Sequence, residues 1–447
     1  MLNLSGKTVA VVGLGESGVA AAELALARGG EVMAVDALPE GKLSPAALAL
    51  SGKGARLFAG RNDEAAIKRA DVVVVSPGVP ALPFLDQASQ AGALVVGELE
   101  FASRFVDAPI VAIGGTNGKS TTTALVHEML RAEGRLSFIG ANFGEPLSRA
   151  VGRTFDVLVL EVSSFQMERA PTFCPRVAAL LNITEDHLDR YPSFLAYAAA
   201  KGNMFAHQTS DDVAVAPKGD ARVAREAARG DGRLITFGPG GDVGLDAAGA
   251  LVVDRLRGAD YKVADIKLRG THNLLNVSAA VACASEIGAK PAAIAGVLAT
   301  FEGLAHRTAF VSEIGGVRYY DDSKGTNVGA AVSALRGLEE RKVVLIAGGR
   351  DKHGDYAPLA AELGAKGKAL VLIGEAADRI ADAVRGVVET ARASSMEQAV
   401  TLASSFAGPG DAVLLSPACS SFDMFKDYKD RGDAFVRAVR ALKENRA

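Results

Sequence analysis

With 447 residues, 49% of them hydrophobic and 23% charged, and a net charge of −3, the chain has an ordinary globular composition and enough length for about three domains. That balance gives no electrostatic case for nucleic-acid or membrane-surface binding. Cys174, Cys283 and Cys419 are too few and too scattered for a disulfide framework or a zinc site, which fits a reducing compartment.

The first unit, expected over residues 1–97, opens with no signal-peptide pattern, and no apolar run along the chain reaches membrane-spanning length, so a cytoplasmic protein is expected. Thr8-Val9-Ala10-Val11-Val12 reads as a buried strand. It is followed by Gly13-Leu14-Gly15-Glu16-Ser17-Gly18, an alanine-rich helix, and a second strand, residues 31–36, that ends in Asp36. This is Gly-x-Gly-x-x-Gly in strand–helix context, with an acid at the distance expected for a ribose hydroxyl. The motif marks a nucleotide pyrophosphate, and a UDP-sugar carries one as NAD does. Later strands are 72–75, running into Ser76-Pro77-Gly78, and 94–96.

The second unit, expected over residues 98–302, carries the stretch around which the chain is organised. Ile110-Val111-Ala112-Ile113 leads into Gly114-Gly115-Thr116-Asn117-Gly118-Lys119-Ser120-Thr121, and Leu125, Val126, Met129 and Leu130 mark one face of a following helix. Glycines let backbone N–H groups turn around phosphate oxygens, the lysine adds a point charge, and the next hydroxyl suits Mg²⁺. The helix N-terminus adds partial positive charge. The standard pattern has four residues between its first glycine and Gly-Lys; Gly114 leaves three, so this is a shortened variant.

Apolar runs at 137–140, 156–160 and 177–181 indicate a parallel sheet covered on both faces. Ligands bind beyond the carboxyl ends of such strands. That places Glu161 to ligate the Mg²⁺ of a nucleotide with Ser120, or to be a solvated strand-end acid. It also puts His187 in a polar run with Glu185, Asp186 and Asp189, as a ligand or a plain loop histidine. Lys201, among alanines, reads on its own as a helix-surface charge. Residues 211–270, rich in Gly and Asp, suggest a small antiparallel addition, and helices are expected over 274–287 and 294–301.

The third unit, expected over residues 303–447, repeats the pattern. Buried strands at 342–347, 369–373 and 412–415 and the run Asp321-Asp322-Ser323-Lys324-Gly325-Thr326-Asn327 ahead of a helix make it doubly wound as well. The whole is expected to be α/β, with a Rossmann-like first domain, a central phosphate-loop domain and a C-terminal α/β domain.

Six segments in order resemble the Mur ligase family of ATP-dependent, amide-forming enzymes of peptidoglycan synthesis. They are Gly115–Thr121, Glu161-Val162-Ser163-Ser164-Phe165-Gln166, Asn182-Ile183-Thr184-Glu185-Asp186-His187-Leu188-Asp189, His272-Asn273-Leu274-Leu275-Asn276, Gly303-Leu304-Ala305-His306-Arg307 and Asp322–Asn327. Gly140-Ala141-Asn142-Phe143-Gly144 and Ser416-Pro417-Ala418-Cys419-Ser420-Ser421-Phe422-Asp423 resemble the members that add D-glutamate to UDP-N-acetylmuramoyl-L-alanine.

The resemblance implies an ATP site of Gly115, Thr116, Asn117, Gly118, Lys119, Ser120, Thr121, Asn276, Arg307, Asp322 and Lys324. It implies a UDP-sugar site of Gly15, Glu16, Ser17, Gly18, Asp36, Ser76, Gly78, Asn142 and His187, and a D-glutamate site of Thr326, Lys352, Ser421, Phe422 and Tyr428. Ser120 and Glu161 would bind one Mg²⁺, and His187 and a carbamylated Lys201 a second, with Lys119, His187 and Lys201 in the catalytic roles.

A monomer with small-molecule substrates and no nucleic-acid or membrane partner is implied. Ala37 and Leu38 stand where some relatives carry a threonine and an arginine that reach the substrate, Ala305 where a proline is common, and Tyr428 where some have Phe. Other readings are another amino-acid-adding Mur ligase, a folylpolyglutamate-type ligase, an ATP-driven switch, and an NAD-dependent oxidoreductase, which would leave the phosphate loop unexplained.

Overall fold

A computed structural model describes the chain except Met1, Asn62, Asp63, Asp189, Arg269, His353 and residues 445–447, with the side chain of Ala66 also left aside. Asp189, expected in the polar run beside His187, therefore lies outside the described residues.

Three sheets succeed one another along the chain. The first holds β1 (Thr8–Val12), β2 (Glu31–Asp36), β3 (Arg56–Ala59), β4 (Val72–Val75) and β5 (Leu94–Gly97), in the order β3-β2-β1-β4-β5, all parallel. The strand order reverses between β1 and β4. The loops after them, around Gly13–Gly18 and Ser76–Gly78, therefore open one crevice, where ligands of doubly wound sheets bind.

The second sheet holds β6 (Ile110–Gly114), β7 (Ser137–Ala141), β8 (Val157–Glu161), β9 (Val177–Leu180), β10 (Val213–Pro217), β11 (Arg233–Phe237), β12 (Val243–Leu245), β13 (Leu251–Asp254) and β14 (Ala259–Lys262). Their order is β14-β13-β12-β11-β10-β9-β6-β8-β7. β9, β6 and β8 lie side by side toward the β7 edge, so the loops after them converge. β10 and β11 continue the parallel sheet, and only β12–β14 turn antiparallel. The antiparallel addition is thus smaller than the Gly- and Asp-rich texture of 211–270 suggests. The helix Ala221–Ala227, capped by the Asp220 side chain, makes a parallel crossover inside that stretch.

The third sheet holds β15 (Ala309–Ile314), β16 (Val317–Asp321), β17 (Val343–Gly348), β18 (Gly367–Ile373), β19 (Glu389–Arg392) and β20 (Ala412–Leu415), ordered β15-β16-β20-β17-β18-β19. β15 pairs antiparallel at the edge, and the other pairings are parallel.

The central strands are buried on both faces, and helices close each face. The helix Thr271–Glu286, buried from Asn276 to Ser285, packs against Lys119–Arg131, the helix that follows the phosphate loop. Among the described residues no helix is long and apolar enough to cross a membrane.

Candidate functional site

The loop after β6 is clasped from the neighbouring strand. Asn182, just past β9, accepts on Oδ1 from the backbone N–H groups of Thr116 and Asn117 at 3.1 and 2.9 Å, and its amide donates to the Asn117 carbonyl at 3.0 Å. Gly118 then takes φ +86° at the helix N-cap, a left-handed conformation suited to glycine. The Lys119 ammonium folds back to donate to the Gly115 and Thr116 carbonyls at 3.0 and 2.9 Å.

The Ser120 hydroxyl donates to Glu161, at the end of β8, and Asn142 donates to the other oxygen of that carboxylate. Arg307 reaches over from the segment before β15 and donates to Ser120 Oγ at 2.6 Å. Burial pushes the Glu161 carboxyl up, but Lys119 and Arg307 outweigh it and hold it below its usual range. Burial lowers the Lys119 ammonium despite the attraction of Glu161.

Lys201 is not a surface charge. It is 4% exposed, donates to the Gly115 carbonyl at 2.8 Å and lies 4.7 Å from the centre of the Tyr197 ring. Burial, and then the neighbouring Lys119, push its pKa well below the lysine range. The His187 ring packs on Phe165 at 4.7 Å and also meets Tyr197, whose hydroxyl is 3.1 Å from Thr116 Oγ1. Tyr197 therefore backs both side chains beside the phosphate loop.

Between the second and third sheets a narrow cleft is lined by Asn117, Gly118, Thr121, Asn276, Arg307, Asp322 and Lys324, with His272 and Asn273 at one end. Burial raises the Asp322 carboxyl to about 7, against hydrogen bonding from Ser416. Burial and then Arg307 lower Lys324 to about 8, and its ammonium sits 3.8 Å over the Tyr428 ring.

A second cavity on the same seam, of about 400 Å³, is bounded by Thr184–Leu188 from the second sheet and by Asn327–Gly329, Lys352, Gly354–Tyr356 and Ala418 from the third. Of the side chains expected to hold the amino acid, Lys352 lines this cavity. Thr326, Ser421 and Phe422 stand on neighbouring loops at the carboxyl ends of β16 and β20, with Ser421 buried and Phe422 63% exposed, and Tyr428 opens the helix Tyr428–Glu444.

A third opening, of about 460 Å³, lies where the first sheet meets the second. Gly15, Glu16, Ser17, Ser76 and Gly78 line one side, and Asn142, Gly144 and Gln166 the other. Arg169 and Arg190 hold the 77–80 stretch by donating to the carbonyls of Pro77, Val79 and Pro80. Two expected residues act on the protein itself. Asp36 accepts from the Leu14 and Leu38 backbone N–H groups at 2.6 and 2.8 Å and so fixes the glycine loop. Gly18 lies where a methyl group would come within 1.8 Å of the Gly13 carbonyl, so it allows the helix to approach the strand.

Sequence reasoning missed Asn182, Asp186 and Asn327 as site residues. Asn327 caps its helix, Val328–Gly337, and donates to Asn117 Oδ1 at 3.2 Å and to Asp186 Oδ2 at 3.0 Å. All three lie in the segments that carry the resemblance, but their partners are far away in the chain.

Family models match in the same order as the sheets: "Mur ligase MurD-like, N-terminal domain" over residues 7–97, "Mur ligase middle domain" over 113–284 and "Mur ligase, glutamate ligase domain" over 306–419. The UDP-N-acetylmuramoylalanine--D-glutamate ligase of Trichlorobacter lovleyi is 44% identical, covering 99% of this chain and 100% of that protein. The protein of the same name from Syntrophotalea carbinolica is 46% identical over the whole of both chains. Among solved structures, a pseudomurein peptide ligase type C from Methanothermus fervidus superposes with a TM-score of 0.64 at 18% identity, covering 98% of this chain and 100% of that one. The UDP-N-acetylmuramate-alanine ligase of Thermotoga maritima does so at 0.61 and 20%, with the same coverage. With three family models in register and full-length relatives well above chance identity, the chain belongs to the Mur ligase family.

Proposed function

We propose that this chain is the ATP-dependent ligase that adds D-glutamate to UDP-N-acetylmuramoyl-L-alanine, as a cytoplasmic monomer in peptidoglycan precursor synthesis. The observation that carries the reading is a cleft lined by Asn117, Gly118 and Thr121 of the phosphate loop and by Arg307, which bonds the Ser120 of the Ser120–Glu161 pair, with Lys352 on a second cavity of the same seam. The full-length relatives named for D-glutamate addition narrow the amino acid. In this reading ATP takes the cleft of Lys119, Asn276, Arg307, Asp322 and Lys324, and the UDP-sugar takes the opening between Gly15–Ser17, Gly78 and Asn142.

A carboxylate does not condense with an amine in water until its leaving oxygen is activated. In the proposed sequence the carboxylate of the alanyl substrate attacks the γ-phosphorus, giving an acyl phosphate and ADP. The neutral D-glutamate amine then attacks the acyl carbon; the C–O bond to phosphate breaks, and the amine's proton goes to the departing phosphate or to water as the amide forms. The chain's part is positioning and charge: Lys119 exchanges its loop carbonyls for β- and γ-phosphate oxygens, and Arg307 and Lys324 meet charge from the other wall.

Among the described residues no group of three or more His, Cys, Asp or Glu side chains is placed to hold a metal by itself. The two donors Ser120 and Glu161 instead fit Mg²⁺, which keeps waters and takes substrate phosphates as ligands. His187 would hold a second ion only with a carbamylated Lys201, because an ammonium cannot ligate. When bound, these ions would neutralise charge on the phosphoryl oxygens. The downward shift of the Lys201 pKa favours the neutral amine, the form that adds to carbon dioxide with loss of a proton.

The test is phosphate release from ATP in the presence of UDP-N-acetylmuramoyl-L-alanine with D-glutamate, L-lysine or L-alanine. D-Glutamate is expected to stimulate and the others not, and stimulation by L-lysine or L-alanine alone overturns the assignment. Lys119→Ala should abolish product formation. A Lys119→Ala variant with near-normal turnover would remove ATP from this loop. Carbamylation is read by intact mass and by a ¹³C carbamate signal after exposure to labelled bicarbonate, both lost in Lys201→Ala.

A further inference from the structure

Ser76, Pro77, Gly78 and Val79 wall the opening between the first and second sheets. Pro77 and Pro80 have no N–H to pair, and the carbonyls of 77, 79 and 80 take side-chain donors. The first unit holds this stretch from one side. The Ser76 hydroxyl donates to the Gly13 carbonyl at 2.6 Å, and a methyl on Gly13 would come within 2.7 Å of Val79 Cγ2. The second unit holds it from the other. Arg169 donates to the Val79 and Pro80 carbonyls, both at 3.1 Å, and Arg190 to the Pro77 and Val79 carbonyls at 3.3 and 3.5 Å. Both arginines are themselves pinned. Arg190 lies 4.0 Å over the Phe165 ring and pairs with Glu168 at 2.9 Å, while Glu168 also accepts from the Tyr191 hydroxyl. The Arg169 carbonyl accepts from the Gly97 N–H at 2.7 Å, where β5 ends. Phe165, Glu168 and Arg169 follow Glu161 on the segment after β8.

We propose that Arg169 and Arg190 are positioning residues for the UDP-linked substrate: they clamp the 77–80 stretch from the second unit and hold it in the shape that receives the nucleotide. This rests on the ligase reading, which gives the opening its occupant. Neither arginine lines the opening, so the clamp acts through the loop. A loop already held costs little ordering when its ligand arrives, whereas a loop freed of these donors must be ordered out of the binding energy. That loss falls on the UDP-linked substrate alone, because ATP and the amino acid are assigned to the seam between the second and third sheets. A planar guanidinium spans two carbonyls and lies flat on a ring, as an ammonium cannot. The clamp also ties the loop to the segment that starts at Glu161, so the nucleotide end of the substrate is held in register with the phosphate-loop side.

The experiment measures KM for UDP-N-acetylmuramoyl-L-alanine, ATP and D-glutamate in the full chain, in Arg169→Met and in Arg190→Met. Methionine keeps an apolar stem and removes the donors. Each variant should raise the first constant by roughly tenfold, with the other two and kcat held within about twofold. Arg190→Lys, which keeps one donor for the loop, should fall between Arg190→Met and the unaltered chain. A rise of all three constants by one factor is the mark of a merely structural role and overturns the proposal. So does a first constant that stays where it was, or an Arg190→Lys chain no better than Arg190→Met. In each of those cases normal turnover by the unaltered chain leaves the ligase reading standing. An unaltered chain whose phosphate release does not depend on UDP-N-acetylmuramoyl-L-alanine overturns that reading and this inference with it.

Discussion

Gly118 is constrained twice. Its φ of +86° disfavours any side chain, and a methyl there would stand 2.2 Å from Asn276 Oδ1. Gly118→Ala should therefore cost about 1–3 kcal/mol and displace Asn276 from the cleft, seen as a lower melting temperature and a raised KM for ATP. Asp322 gives a pH signature. Its carboxyl rises from 3.8 to about 7 on burial, so the folded chain prefers the protonated acid. That contribution to stability is complete below the unfolded value and is lost as pH rises through 7, by at most about 4 kcal/mol. Asp322→Asn should flatten this loss. Denaturant unfolding at about pH 5 and about pH 8 measures it, and an unchanged pH dependence would contradict the burial argument.

At the scale of elements, the clasp from Asn182 holds the loop between β6 and its helix. Asn182→Ala leaves the Asn117 N–H without that acceptor, at about 1–3 kcal/mol, while the Thr116 N–H keeps the Asn182 carbonyl at 3.0 Å, and it should weaken nucleotide binding more than it slows the chemistry. Arg431 does a related task in the third sheet. Fully buried in the helix Tyr428–Glu444, it donates to Ser323, Cys419 and Ser420 and so joins the loops after β16 and β20. Arg431→Met should lower stability by about 3 kcal/mol and raise the KM for the amino acid; a stability loss without the KM change would separate these loops from substrate binding.

The central strands were legible because a parallel strand buried on both faces leaves an uninterrupted apolar run, as in Val72–Val75 and Val343–Gly348. The edge strands β3 (Arg-Leu-Phe-Ala) and β19 (Glu-Thr-Ala-Arg) are four residues long and are not buried on both faces, so they left no such run. Lys201 shows the same limit at a site. Its alanine neighbours read as a helix surface, and only the fold sets its ammonium against the Gly115 carbonyl 86 positions away.

For the whole molecule, the cleft proposed for the nucleotide belongs to neither the second nor the third sheet alone. Arg307 meets Ser120, Asn327 meets Asn117, and Lys352 meets Asp186, each pair bridging more than 160 residues of sequence. The sequence names all six residues within motifs or by resemblance, yet no spacing shows which meets which. Binding of a nonhydrolysable ATP analogue should therefore slow amide exchange at 119–123 and at 303–308 together. Protection confined to the phosphate loop would mean that the two units do not share the nucleotide.

Lys119 has a further consequence through its bonds to its own loop. A resting lysine that already holds two carbonyls is not waiting in solvent for phosphate. In the proposed reading nucleotide entry is a ligand exchange: the Gly115 carbonyl keeps the Lys201 ammonium as a donor, while the Thr116 carbonyl must rotate or find water as the phosphates arrive. Nucleoside monophosphates and free phosphate offer fewer oxygens to Lys119, Arg307 and Lys324 and so gain less from that exchange. In that reading the folded-back lysine favours a longer phosphate chain before the loop changes partners.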